Sequence, residues 1–165
     1  MTPFGIVHTI ISVFALVAGA VALIRDKKIS ITNRVGQLYV GGTALSAATG
    51  LFIFHHGGFG KPHALSILTL LVLGVAGLAR ATNVFGRASR YVETVGYSAT
   101  FFFSTIPGIT ETATRLPKNA PLVSGPDAPE LQLAVGLLFA AFLVGSTIQV
   151  LRLRGSRPTV ARAAA

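Results

Sequence analysis

The chain has 165 residues, 52% of them hydrophobic and only 12% charged, about half the charge of an ordinary soluble domain. It contains no cysteine, which excludes disulfides, thiolate metal sites, iron–sulfur clusters and covalently attached c-type haem. A net charge of +9 would suit a nucleic acid, but the basic residues fall in short clusters between apolar runs, with no continuous basic face interleaved with aromatics. No nucleic-acid partner is expected.

Five windows lack Asp, Glu, Lys and Arg: 1–24, 35–60, 62–79, 94–110 and 131–151. At about 1.5 Å per residue, roughly 20 apolar residues cross a bilayer core of about 30 Å. The expected fold is therefore an all-α, polytopic membrane bundle of five transmembrane helices, spanning about 4–24, 35–55, 62–80, 91–110 and 130–151 within one domain, residues 1–154. Arg25, the first basic residue, follows the first apolar run instead of preceding it, so that run reads as an uncleaved anchor and not as a signal peptide.

Small and polar residues recur at helical spacing in the first span (His8, Ser12, Ala15, Gly19), the second (Gly42, Ser46, Gly50), the third (His63, Ser66, Gly74, Gly77) and the fifth (Gly136, Ala140). Helix packing is their commonest use in lipid. The connection HHGGFGKPH lacks the GxxxxGK[ST] spacing of a phosphate loop. The fourth span differs, because Glu93, Tyr97, Thr100, Ser104, Gly108, Glu111 and Arg115 follow steps of three or four and share one face. A face that polar points inward or onto a water-filled cavity. Pro107-Gly108 predicts a bend near the outer end, Glu111 and Arg115 an i,i+4 ion pair, and Glu93 a pair with Arg90. Leu116–Pro129 holds four prolines and reads as an irregular loop. The tail 155–165, Arg- and Ala-rich, reads as disordered.

Basic residues set the orientation. The first connection, the third and the tail carry eleven Lys and Arg, against Lys61, Arg115 and Lys118 on the other side. The N-terminus is thus expected outside and the C-terminus in the cytoplasm.

This threading brings the histidines to one rim. His8 and His63 lie at similar depth in the outer leaflet, His55 and His56 end the second span there, and Glu111 ends the fourth. Packing or interfacial histidines are the commoner case. Imidazole and carboxylate also suit a divalent metal (His8, His55, His56, His63, Glu111), and His8 with His63 could ligate a b-type haem. No HExxH or CxxCH supports either, and no GxSxG supports a nucleophile. The leading expectation is a binding or accessory protein with an outward-facing His/Glu pocket for a metal ion or b-type haem. The alternatives are a small proton-coupled transporter or permease, which five helices would build as a homo-oligomer, and a ligand-free scaffolding subunit of a membrane complex that offers the Gly42–Ser46–Gly50 face to its partner. An enzyme has the least support.

Asn33-Arg34-x-Gly36-x-x-Tyr39-Val40 entering the second span, Pro62-His63-x-Leu65-Ser66-Ile67-Leu68-Thr69 opening the third, and His8 in the first resemble a group of small bacterial multi-pass membrane proteins catalogued only as a domain of unknown function. The resemblance covers roughly residues 5–80 and implies membrane location and a helical fold, with no established reaction. Members often carry His where this chain has Asn33.

Overall fold

In the computed structural model, residues 2–54, 58–82 and 84–155 are described. They form five α-helices, α1 (Pro3–Asp26), α2 (Arg34–Gly50), α3 (Lys61–Thr82), α4 (Ser89–Arg115) and α5 (Pro129–Gly155), with a short 3₁₀ turn at Gly86–Ala88 before α4, and no strand among the described residues. By length and composition α1, α3 and α5 can each cross a membrane. The tail from 156 onward, expected to be disordered, lies outside the described residues, as do His55 and His56.

Local chemistry sets the helix starts. Thr2 caps α1, its hydroxyl accepting from Gly5 N–H at 3.1 Å, with proline next in line, a favoured first-turn arrangement. Lys27 ends α1 in the left-handed region at φ 59°. Asn33 Oδ1 caps α2 by accepting from Gly36 N–H at 2.9 Å, while Asn33 Nδ2 donates to Asp26 at 3.1 Å. A side chain on Gly36 would run into the Ser30 carbonyl oxygen, so the loop folds back onto α2 only over a glycine. Ile29 and Ser30 of that loop are buried.

Two elements depart from expectation. The second helix stops at Gly50 and not at 55, because Leu51, Phe52 and Ile53 bond back to Ala48, Thr49 and Gly50 in tight three-residue turns, which close a helix end. α4 runs through Pro107 and on to Arg115, about 40 Å at 27 residues. The loop 116–128 is irregular, as its prolines predict, and is pinned by Val123 N–H donating to Ala113 O at 3.2 Å.

Neighbouring helices run antiparallel. Along the α1–α2 seam His8 meets Thr49, Ser12 meets Ser46, Ala15 meets Gly42 and Gly19 meets Tyr39. The Gly42–Ser46–Gly50 face is thus covered by α1 within the chain and is not free for a partner. α4 touches every other helix, whereas α5 packs on α4 alone. The α4–α5 seam is aromatic, with Phe102 stacked on Phe142 at 5.6 Å and tilted against Phe139 at 5.6 Å. The small residues of α5 do not serve packing as expected, since nothing lies near Gly136 and Ala140 is exposed.

The chain's charge is segregated by this topology. Arg90 reaches the Leu153 carbonyl and Gln149 the Lys27 carbonyl, so the α1–α2 loop, the start of α4 and the end of α5 share one end of the bundle. The end of α3 joins them through Arg80 and Glu93. That end holds Arg25, Lys27, Lys28, Arg34, Arg80, Arg87, Arg90, Arg152 and Arg154 against Asp26 and Glu93.

Candidate functional site

The bundle interior contains a line of polar groups where hydrocarbon would ordinarily be expected. At the end opposite the basic cluster, His8 Nδ1 lies 2.9 Å from Thr49 Oγ1. Ser12, one turn on, donates to the His8 carbonyl at 2.8 Å and sits 2.6 Å from the Ser46 hydroxyl, with His8 Nε2 3.5 Å away. Gly50 leaves the space between His8 and Ser66 open: a methyl there would lie 3.0 Å from Ser66 Oγ and 3.5 Å from the ring. The Glu111 carboxylate, on α4 at the same end of the bundle, is bonded to Arg115 at 2.6 Å, the ion pair that the spacing predicts.

Deeper in, Thr43 follows Ser46 by one turn and is buried. One further turn along α2, Tyr39 is fully buried, its hydroxyl 2.8 Å from Thr100 Oγ1, which in turn donates to the Tyr97 carbonyl at 2.9 Å. With Thr100 committed as donor, Tyr39 is the donor to Thr100. Phe101 tilts against the Tyr39 ring at 6.2 Å, and both rings fill the space at Gly19, where a methyl would come within 2.6 Å of Phe101. Tyr97 is also buried, its hydroxyl reaching toward Gly77.

At the basic end Glu93, its side chain only 13% exposed, lies 3.8 Å from Arg80 of α3. The sequence suggests Arg90 as its partner, but Arg90 donates to Leu153 of α5 instead. Consecutive turns of α4 project Arg90 and Glu93 toward different neighbours, so nearness in sequence misleads here. Outside the apolar stretch, Arg25 donates to both oxygens of Asp26 at 2.8 and 2.9 Å and holds that carboxyl below the usual carboxylate range.

The polar face of α4 thus turns into the bundle over the half nearer the basic end (Glu93, Tyr97, Thr100), is half-buried at Ser104, and emerges at Glu111 and Arg115. The histidines are less united. His63, 5% exposed, is sandwiched between Phe54 and Phe59 at 4.7 and 5.3 Å, and its Nδ1 accepts from Gly60 N–H at 3.2 Å. It caps its own helix. Among the described residues no three His, Asp or Glu side chains gather in a way that could hold a metal ion, so His8, His63 and Glu111 do not form the expected pocket by themselves. His55 and His56 lie outside the described residues.

Sequence reasoning passed over Tyr39, Thr43 and the Ser12–Ser46 pair as functional groups. It also missed the Ser98–Gln149 bond at 2.9 Å, through which α5 holds the Lys27 carbonyl. Gln149 carried a usable signal, being the only amide side chain in the apolar run 133–151. No family model, curated protein or solved structure matches this chain.

Proposed function

We propose that this chain is a five-span protein of a bacterial cytoplasmic membrane, N-terminus outside, that acts as a small proton-coupled permease through the polar line of its core. The carrying observation is that line itself: Glu111 and His8 at one end, Ser12–Ser46, Thr43 and Tyr39–Thr100 through the middle, Tyr97 and the Glu93–Arg80 pair at the other. Polar groups within a membrane are expensive and are retained where they line a path for ions or protons. α2 and α4 supply most of them, and their lower apolarity has a use under this reading. If α1 and α3 cross in one direction, the antiparallel α2 between them must return through the same slab.

Each step has a suitable group. Imidazole can take up a proton at one ring nitrogen and release one from the other, so His8 can take a proton delivered past Glu111. Hydroxyls donate and accept at once, so the Ser12–Ser46 and Tyr39–Thr100 pairs can pass it inward, with the unpartnered Thr43 hydroxyl lying between them. Glu93, paired with Arg80, receives it beside the basic end. The metal-binding and haem-binding alternatives lack comparable support, because their ligands are spread between separate local partners.

The test is proton flux into liposomes that hold a pH-sensitive dye, driven by a potassium-diffusion potential. The intact protein should acidify the lumen faster than empty vesicles. His8→Ala and Thr100→Val, which keeps the threonine's shape, should each slow the flux at least tenfold. Flux at the empty-vesicle level for the intact protein would remove the reading.

A further inference from the structure

α5 leans on α4 without touching α1, and the interval between α1 and α5 is a cleft of about 200 Å³ floored by α4. Its walls are apolar, with Leu23 on one side, Phe142 on the other and Phe101 behind. One pole is polar, formed by Ser98, Ser146 and Gln149. The cleft lies toward the basic end, because Gln149 also reaches the Lys27 carbonyl. No charged residue lines it.

The polar pole is incompletely used. The Ser146 hydroxyl is buried and has no hydrogen-bond partner. Gln149, 8% exposed, accepts from Ser98 through Oε1 and donates one of its two N–H groups to Lys27 O, which fixes the amide orientation and leaves the second N–H uncommitted. A buried hydroxyl without a partner is uncommon and destabilising. Serines in apolar helices usually bond the carbonyl a turn back, as Thr147 does here. Ser146 forgoes that bond at the lip of an apolar cleft.

The geometry points to this cleft as a binding site for a neutral, membrane-dissolved amphiphile whose carbonyl head accepts from Ser146 and whose apolar body lies between Leu23, Phe101 and Phe142. Neutrality follows from the absence of a charged lining group, and a carbonyl from two spare donors at one pole. Entry is lateral, past Gly145, which has nothing within van der Waals reach. Two membrane sources share this chemistry, a quinone ring and the ester carbonyl of a phospholipid whose charged headgroup stays outside the cleft. The site is separate from the polar line of the core, and its test does not depend on flux.

The chain has no tryptophan, so one introduced indole is a clean reporter. Leu138→Trp places it in the cleft wall, and Leu71→Trp, on an exposed face of α3, serves as the lipid-facing control. Both are reconstituted in nanodiscs and titrated with a short-tailed benzoquinone, and separately with a phospholipid brominated on its acyl chain. Saturable quenching at position 138 but only linear quenching at 71 is expected with one of the two probes, and the probe that saturates identifies the source. Ser146→Ala in the Leu138→Trp background should weaken the midpoint at least fivefold, and Gly145→Leu, which obstructs the entry while leaving every donor in place, should abolish saturation. Linear quenching at both positions with both probes, or a midpoint unmoved by both variants, would overturn the assignment.

Discussion

Gly36 and Gly41 sit in the same helix one and a half turns apart, yet only one of them is constrained. A methyl at Gly36 meets the Ser30 carbonyl, whereas at Gly41 it meets nothing. Gly36→Ala should therefore destabilise the protein by about 1–3 kcal/mol as the loop 27–33 is forced off α2. Gly41→Ala should be neutral or raise stability by up to about 1 kcal/mol, since alanine orders a helix at lower entropic expense. Thermal unfolding in one detergent would separate the two, and equal effects would contradict the packing argument. Asp26 next to this loop gives a pH dependence. Its carboxyl titrates lower in the folded chain than in the unfolded one, chiefly through Arg25. Its stabilisation is therefore present above the ordinary carboxylate range and lost as pH falls through the lowered folded value. The melting-temperature gap between the intact protein and Asp26→Asn, measured at low salt, should be small at pH 7 and close to zero once the pH has fallen through that lowered value. A gap that persists there would mean that Asp26 acts through something other than its charge. The Asn33-x-x-Gly36-x-x-Tyr39 pattern acquires a physical meaning from these contacts, as a cap, a close approach and a buried hydroxyl.

Helices were readable wherever charge ceased for a bilayer's width, because nothing in a 20-residue uncharged run competes with helical hydrogen bonding in lipid. The ends were harder. Gly50 and the residues after it carry no charge, so only the backbone turns that close α2 mark its end. Partners were hardest. Glu93 finds Arg80, His63 finds Phe54 and Phe59, and Ser98 finds Gln149, pairings that depend on which faces the helices turn to one another. The position of α5 depends on such a pairing. It is apolar on all sides and meets only α4, so Gln149, bridging Ser98 and Lys27 O, sets its register. Gln149→Leu leaves Ser98 and the Lys27 carbonyl without that partner and should lower stability by about 1–2 kcal/mol. Proteolysis in the 116–128 loop should also quicken as α5 loosens. Unchanged melting and cleavage would mean that the aromatic seam alone holds the helix.

The bundle as a whole is polarised more sharply than any one segment. Among described residues, the end with Lys27 and Arg90 carries nine basic and two acidic groups. The end with Lys61 and Arg115 carries three basic (Lys61, Arg115, Lys118) and three acidic (Glu111, Asp127, Glu130). Lys61 and Asp127 there are bonded to each other at 2.7 Å. Under the proposed reading, retention of Lys- and Arg-rich loops in the cytoplasm would orient the whole bundle and would place His8 and Glu111 where a proton from outside enters. Because the natural chain has no cysteine, single substitutions report side without background. In intact cells a membrane-impermeant maleimide should label Lys61→Cys and Lys118→Cys, and should label Lys28→Cys and Arg87→Cys only after the cells are opened. All four positions are exposed, so none of the substitutions should disturb packing. The inverted pattern would keep the bundle but reverse the direction of the polar line. Labelling of Lys61→Cys and Lys118→Cys from opposite sides would mean that α4 does not complete its crossing, and the line could not reach from one surface to the other.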